Sequence, residues 1–176
     1  GGVTTGTYSG NSTGEIVFFN LVNVSRKAAG KTELILEPKL SAVAREHSAD
    51  LAQAYKSTDK DAWINAHPND DPPWTSHTTS TGLSFEQRFK EAATRFGIAF
   101  AGAAENVGWG TYNARTAQET IQVTHDAMMT EPAGSDGHKQ NILGTSVNTT
   151  RIGIGIVVST SPNEIYITED FVQPPQ

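Results

Sequence analysis

A chain of 176 residues is long enough to bury a core of its own. Its 13 Lys and Arg against 19 Asp and Glu leave a net charge of −6 with no long basic run, which argues against nucleic acid as a partner. Without cysteine there is no disulfide, no cysteine-ligated zinc and no thiol nucleophile, and no apolar run approaches the roughly 18 residues of a membrane span.

Residues 1–11 are rich in Gly, Thr and Ser and predict a flexible tail. Residues 12–176 form one expected domain. The polar leader GGVTTGTYSGN reads as the remnant of a tether, with any signal peptide lying outside this chain. Ser12 followed by Glu15 predicts a capping box and a helix to about Ala29, stopped by Gly30 in a left-handed turn. Thr32 to Leu36 reads as extended. Pro38 suits the first turn of a second helix, on which Leu40, Val43, Ala44, His47, Ser48, Leu51 and Ala54 recur at helical spacing. His47 therefore belongs to a buried stripe.

From Ser57 to Gly82 the chain is polar, proline-bearing and carries Trp63 and Trp74, which predicts a long functional or mobile loop. Tryptophans in such a loop either pin it down or, with Trp109, form a sugar- or lipid-contacting rim. His67 precedes Pro68 and is expected in solvent. Ser84 with Gln87 caps a third helix that buries Phe85, Phe89, Ala92 and Phe96 and ends at Gly97. GIAFAGAAENVGWG reads as a glycine-punctuated connector. Asn113 opens a fourth helix to about Thr130, with Ala114, Ala117, Ile121, His125 and Met128 on one face, so His125 is expected in the core.

Pro132 and the turn Gly134-Ser135-Asp136-Gly137 separate Glu131, at that helix's end, from His138 at the head of a short apolar segment. RIGIGIVVS then alternates Ile152, Ile154, Ile156 and Val158 against Gly153 and Gly155, and bare glycines on one strand face mark a close approach by another element. A turn at Ser161-Pro162-Asn163 leads to the return strand EIYITEDFV. Helices first and a terminal hairpin predict an α+β fold with helices over an antiparallel sheet.

Common catalytic signatures are missing: there is no G-x-S-x-G, no phosphate loop and no H-E-x-x-H, and G-I-G-I-G lies inside a strand. What remains is a scatter of polar residues at structural junctions, namely His77, Glu105, Asn106, Glu131 and His138.

AREHSADLA, the Trp74–His77 stretch before SFEQRF, AENVGWG, GHKQNIL, RIGIGI and IYITEDF occur in the order seen in the CAP superfamily of cysteine-rich secretory, antigen-5 and pathogenesis-related-1 proteins. The chain resembles its bacterial SCP-like branch from about Ile16 to Phe171. That resemblance implies a three-layer α-β-α sandwich and a cleft of two histidines and two acids. His77 matches the first cleft histidine, Glu105 the glutamate of the family's G-E-N motif, His138 the histidine of its G-H motif, and Glu131 the second acid if the PAGSDG stretch is an insertion. Ala104 stands where the family has glycine, Lys139 where it often has arginine, and the loop from Lys56 to Thr75 is longer than usual.

Two neutral imidazoles, His77 and His138, can hold a zinc-like divalent ion and leave positions open, while a carboxylate orients a ring nitrogen or takes a proton from bound water. Without a metal, His–Glu pairing satisfies the same groups, and Glu105 and Asn106 equally suit backbone-satisfying roles in a turn. The leading expectation is a secreted, surface-exposed or periplasmic binding module, monomeric and non-enzymatic. Its cleft of His77, Glu105, Asn106, Glu131 and His138 takes a divalent metal such as zinc with a small ligand or lipid, and no organic cofactor. The rivals are a metal-assisted hydrolase with Glu105 or Glu131 as base, and a cell-wall glycan adhesion module using the Ser57–Gly82 loop.

Overall fold

The structure, a computed structural model, describes residues 10–176. The tail expected at residues 1–11 lies largely outside that range. Asn11 already belongs to the fold, since its Nδ2 donates to Ser41 Oγ at 2.7 Å and to Glu15 Oε2 at 3.0 Å.

Helix α1 (Thr13–Ala28) starts at the Ser12/Glu15 capping box and is followed by Gly30 at φ 69°. A two-residue strand β1 (Ile35–Leu36) is all that forms of the expected extended stretch. Helix α2 (Pro38–Tyr55) begins on its proline. The stretch from Ser57 to Gly82 is not an open loop: helix α3 (Lys60–Ala66) forms behind an Asp59 cap whose side chain accepts from Ala62 N–H at 3.0 Å, and Pro73–Thr75 make one tight turn. Helix α4 (Phe85–Phe96) has its predicted Ser84/Gln87 box and Gly97 stop.

The supposed connector contains a ten-residue strand, β2 (Gly102–Thr111). Its Ala and Gly content disguises it, because strand propensity is carried by branched and aromatic residues. Helix α5 (Ala117–Met129) begins later than Asn113, because Thr116 and Glu119 form the capping box, so Ala114 lies off the helix. Helix α6 (Gly137–Leu143) and strands β3 (Arg151–Thr160) and β4 (Asn163–Gln173) complete the chain.

The sheet runs β1-β3-β4-β2, antiparallel except for β1, which pairs parallel with β3. Ile152, Ile154, Ile167 and Phe171 face α1 and α5 in a core with Phe18, Val22, Ile121 and Met128. On the opposite face α2 lies against Gly153 and Gly155. A Cβ at Gly153 would sit 2.2 Å from the Leu40 carbonyl carbon, and one at Gly155 2.1 Å from the Arg45 nitrogen. Helix α4 extends that layer through Phe89, Ala92 and Phe96 packed with Leu40, Val43 and Val172. Glycines on β2 serve α5 in the same way, since a Cβ at Gly108 or Gly110 would meet Thr124 or Thr120 at 2.8 Å. The result is the three-layer α-β-α arrangement, with β2 at an edge of the sheet.

Candidate functional site

β2 sets the geometry because successive residues point to opposite faces. Glu105 and Val107 share the α2 face with Asp170 and Thr168, while Asn106 shares the α5–α6 face with Glu169. His77 arrives from beyond the tight turn at Pro73–Thr75. His47, buried on α2, donates Nε2–H to the Ser76 carbonyl at 2.8 Å and so holds the residue before His77. Burial, aided by Arg88, pushes His47 down to about 4 and keeps this ring neutral. His77 Nδ1 then meets Glu105 Oε1 at 2.8 Å.

The other oxygen of Glu105 is taken by Arg88 Nη2. Arg88 is the main residue the sequence reading missed, although its phase with Phe85, Phe89 and Ala92 signals a buried cation in need of a partner. Burial pushes Glu105 up to about 7 against the pull of Arg88. Burial and the adjacent Glu105 charge raise Asp170 well above the carboxylate range, so Asp170 carries the proton while Arg88 holds Glu105. Burial, then Arg88, pushes His77 below its ordinary value, which makes the neutral ring with Nδ1–H on Glu105 the working tautomer.

On the far side of β2, His138 is the second residue of α6. Glu131, just past the end of α5, accepts from both the His138 backbone N–H, at 3.2 Å, and its Nδ1. Asn106 locks the two halves together. Its Nδ2 donates to the His138 carbonyl at 3.1 Å and to Glu169 at 2.6 Å, and its Oδ1 accepts from Asn141 at 2.9 Å. Asn141 also donates to the Glu105 carbonyl at 3.2 Å. Asn106 is thus a fully buried crosslink rather than a wall of the cleft, and two mid-strand acids in EIYITEDFV were the available sign of it.

His77 and His138 line one hollow of about 450 Å³ with Asp71, Pro72, Thr75 and Val107. Glu105 and Glu131 stand behind the rings rather than at the centre, and Glu105 has 1 % of its side chain exposed. Each ring therefore gives up Nδ1 to its own glutamate and keeps Nε2 free, the carboxylate–histidine arrangement that prepares an imidazole to bind a metal. Among the described residues no three or more His, Asp or Glu side chains converge as a metal-ligand group. Two imidazoles amount to at most half of the four ligands of a tetrahedral zinc shell.

The remaining expected residues fall elsewhere. His125 is buried between α1 and α5 with Nε2 on Ser25 Oγ at 2.9 Å, and His67 stacks on Trp63 at 4.4 Å. Trp74 is fully buried and meets Trp63 and Trp109 edge-on at 5.2 and 5.5 Å, so the tryptophans pin the Ser57–Gly82 stretch to β2.

The fold matches several solved structures. An extracellular protein containing an SCP domain from Bacillus anthracis superposes with a TM-score of 0.60 at 17% identity, over 94% of this chain and 45% of that one, so the chain spans less than half of that relative. An outer surface protein from Borrelia burgdorferi gives 0.59 at 16% identity over 97% and 99% of the two chains. A cysteine-rich secretory protein from Staphylococcus aureus gives 0.53 at 18% over 90% and 38%. At these identities the likeness speaks for the fold alone, and no curated protein sequence matches. The family model described as the cysteine-rich secretory protein family, CAP, matches residues 19–171, and although it carries no cysteine the chain belongs to that family.

Proposed function

We propose that the chain is a non-enzymatic binding module of the cell exterior, holding a small polar ligand between His77 and His138. The observation that carries this reading is the pair of imidazoles, each tied by Nδ1 to its own glutamate, on the walls of one hollow. A divalent ion such as zinc would be held by the two Nε2 atoms, where it would supply positive charge for a carboxylate or carbonyl of the ligand. The hollow is bounded by Asp71, Thr75, Ser76 and Thr78, which favours a polar ligand over a lipid chain. An exterior location is in keeping with the extracellular and outer-surface descriptions of the Bacillus and Borrelia relatives.

The hydrolase reading needs a free general base. Glu105 spends its oxygens on Arg88 and His77, and Glu131 spends its own on the His138 ring and backbone. Calorimetric zinc titration of the wild type and of the His77→Ala/His138→Ala double variant tests the proposal. Binding should vanish in the variant, and equal binding in both proteins sinks the site. A peptidase and esterase panel should show no turnover that a chelator removes; such turnover reinstates the hydrolase.

A further inference from the structure

One edge of the sheet ends inside the same cleft. The bond from Tyr112 N–H to the Asn163 carbonyl, 3.1 Å, sets the phase of the β2–β4 ladder. Ala104, Asn106, Gly108 and Gly110 therefore direct their backbone groups to β4, and Glu105, Val107, Trp109 and Thr111 direct theirs outward. Side chains cover the two ends of that outward row: Asn141 donates to the Glu105 carbonyl, and Thr120 Oγ1 to the Thr111 carbonyl at 3.3 Å. Between them, among the described residues, nothing pairs with the outward N–H and C=O groups of Val107 and Trp109.

Folded proteins normally cover such an edge or blunt it with charge, proline or a bulge. Here the five residues Val107–Thr111 instead form one wall of a groove of about 380 Å³, with Val123, Thr124, Ala127 and Met128 of α5 opposite and His138 at its end. Val107 and His138 also line the hollow that contains His77, so groove and hollow adjoin across these two residues. Val123, on the groove wall, has 46% of its surface exposed.

We propose that this groove takes an extended peptide, added to β2 as a fifth strand, whose leading end reaches the His77–His138 hollow. An extended polypeptide backbone offers donors and acceptors at the repeat that Val107 and Trp109 present, about 3.3 Å per residue. Alternate side chains of the peptide fall against Val123, Ala127 and Met128, which favours small or branched apolar residues there. The inference deepens the binding reading given above and rests on it at the histidine end alone, because the strand pairing needs no metal.

The test begins by panning random nonapeptides against the full chain. The enriched sequence is then made as a free peptide and as a series N-methylated at one residue at a time, read by fluorescence polarisation. N-methylation should weaken binding about tenfold or more at the two residues, spaced two apart, whose N–H groups meet the Val107 and Trp109 carbonyls and leave the residue between them unaffected, since each of those methyls deletes one ladder donor. Ala127→Arg, at an exposed position on the groove wall, should abolish binding to the unmethylated peptide while zinc titration at His77 and His138 stays as in the wild type. A failed zinc titration beside an alternating methylation pattern would count against the metal alone. Overturning results are the absence of any enriched peptide, a methylation series without alternation, or full-strength binding by Ala127→Arg. Saturable binding of a soluble peptidoglycan glycan fragment that Ala127→Arg removes would assign the groove to carbohydrate instead, and a dimer that dissociates in this variant would assign the edge to a second copy of the chain.

Discussion

Replacing Gly155 with alanine tests the close approach of α2 to the sheet on which the whole site is mounted. The added Cβ would lie 2.1 Å from the Arg45 nitrogen and 2.3 Å from the Ala44 carbonyl carbon, whereas ordinary contact begins at 3.4 Å. The helix or the strand must therefore retreat by the difference between 2.1 and 3.4 Å, about 1.3 Å. Both partners at the clash are backbone. Ser41 Oγ accepts from Ile154 N–H at 3.0 Å, and Ser48 Oγ donates to the Gly155 carbonyl at 2.9 Å, so retreat also breaks hydrogen bonds between the layers. Overpacking at the upper end of its usual range, about 3 kcal/mol, plus about 1 kcal/mol for a lost bond, gives a destabilisation of about 4 kcal/mol. That is a large part of the roughly 5–15 kcal/mol that holds a domain together. Urea unfolding followed by circular dichroism should show a lower midpoint at unchanged slope. Gly137→Ala is the control, because a Cβ there meets nothing within 4 Å, and it should be neutral or mildly stabilising. A Gly155→Ala variant within about 0.5 kcal/mol of wild type, or one no worse than the control, refutes the reasoning.

Two further expectations concern buried charge. Lys60 Nζ sits 2.9 Å from Glu164 Oε1 and within 5.4–5.9 Å of the ring centres of Trp74, Trp109 and Tyr166. Lys60→Met strands Glu164 in the interior and should cost about 3–5 kcal/mol by thermal melting, whereas Lys60→Met/Glu164→Leu should recover most of that; equal losses in both variants argue against the pair. Glu169 is pushed by burial from 4.5 up to about 8. The folded state therefore keeps a proton that the unfolded state releases. Its contribution is full below pH 4.5 and is lost as pH rises through 8. His47, held at about 4 against an ordinary 6.5, contributes in the opposite sense: present above pH 6.5 and lost as pH falls through 4. Comparing melting of Glu169→Gln with wild type from pH 4 to 9 isolates the first effect, and parallel curves count against it.

Much of the fold is written in local sequence. Ser12/Glu15 and Ser84/Gln87 start their helices, Gly97 ends one, and the Ile/Gly alternation of β3 declares both a core face and a face pressed on a helix. These signals lie within a few residues of the structure they specify, because capping bonds and side-chain periodicity are short-range. β2 was hidden for the same reason in reverse: its glycines are there for α5, which is distant in sequence, so its composition reads as a connector. Helix α3 was hidden because its buried anchor, Lys60, has its partner on β4.

The cleft divides along the same line. Motif order singled out His77, Glu105, Glu131 and His138, and the sequence alone placed these imidazoles and carboxylates at the junctions between elements. Only the tertiary structure decided that each histidine keeps its own glutamate, that Arg88 and Asp170 share the burden of Glu105, and that Asn106 is a crosslink rather than a cleft wall. Those pairings follow from strand register and helix packing, which join residues dozens of positions apart, and no local propensity encodes a distance between them.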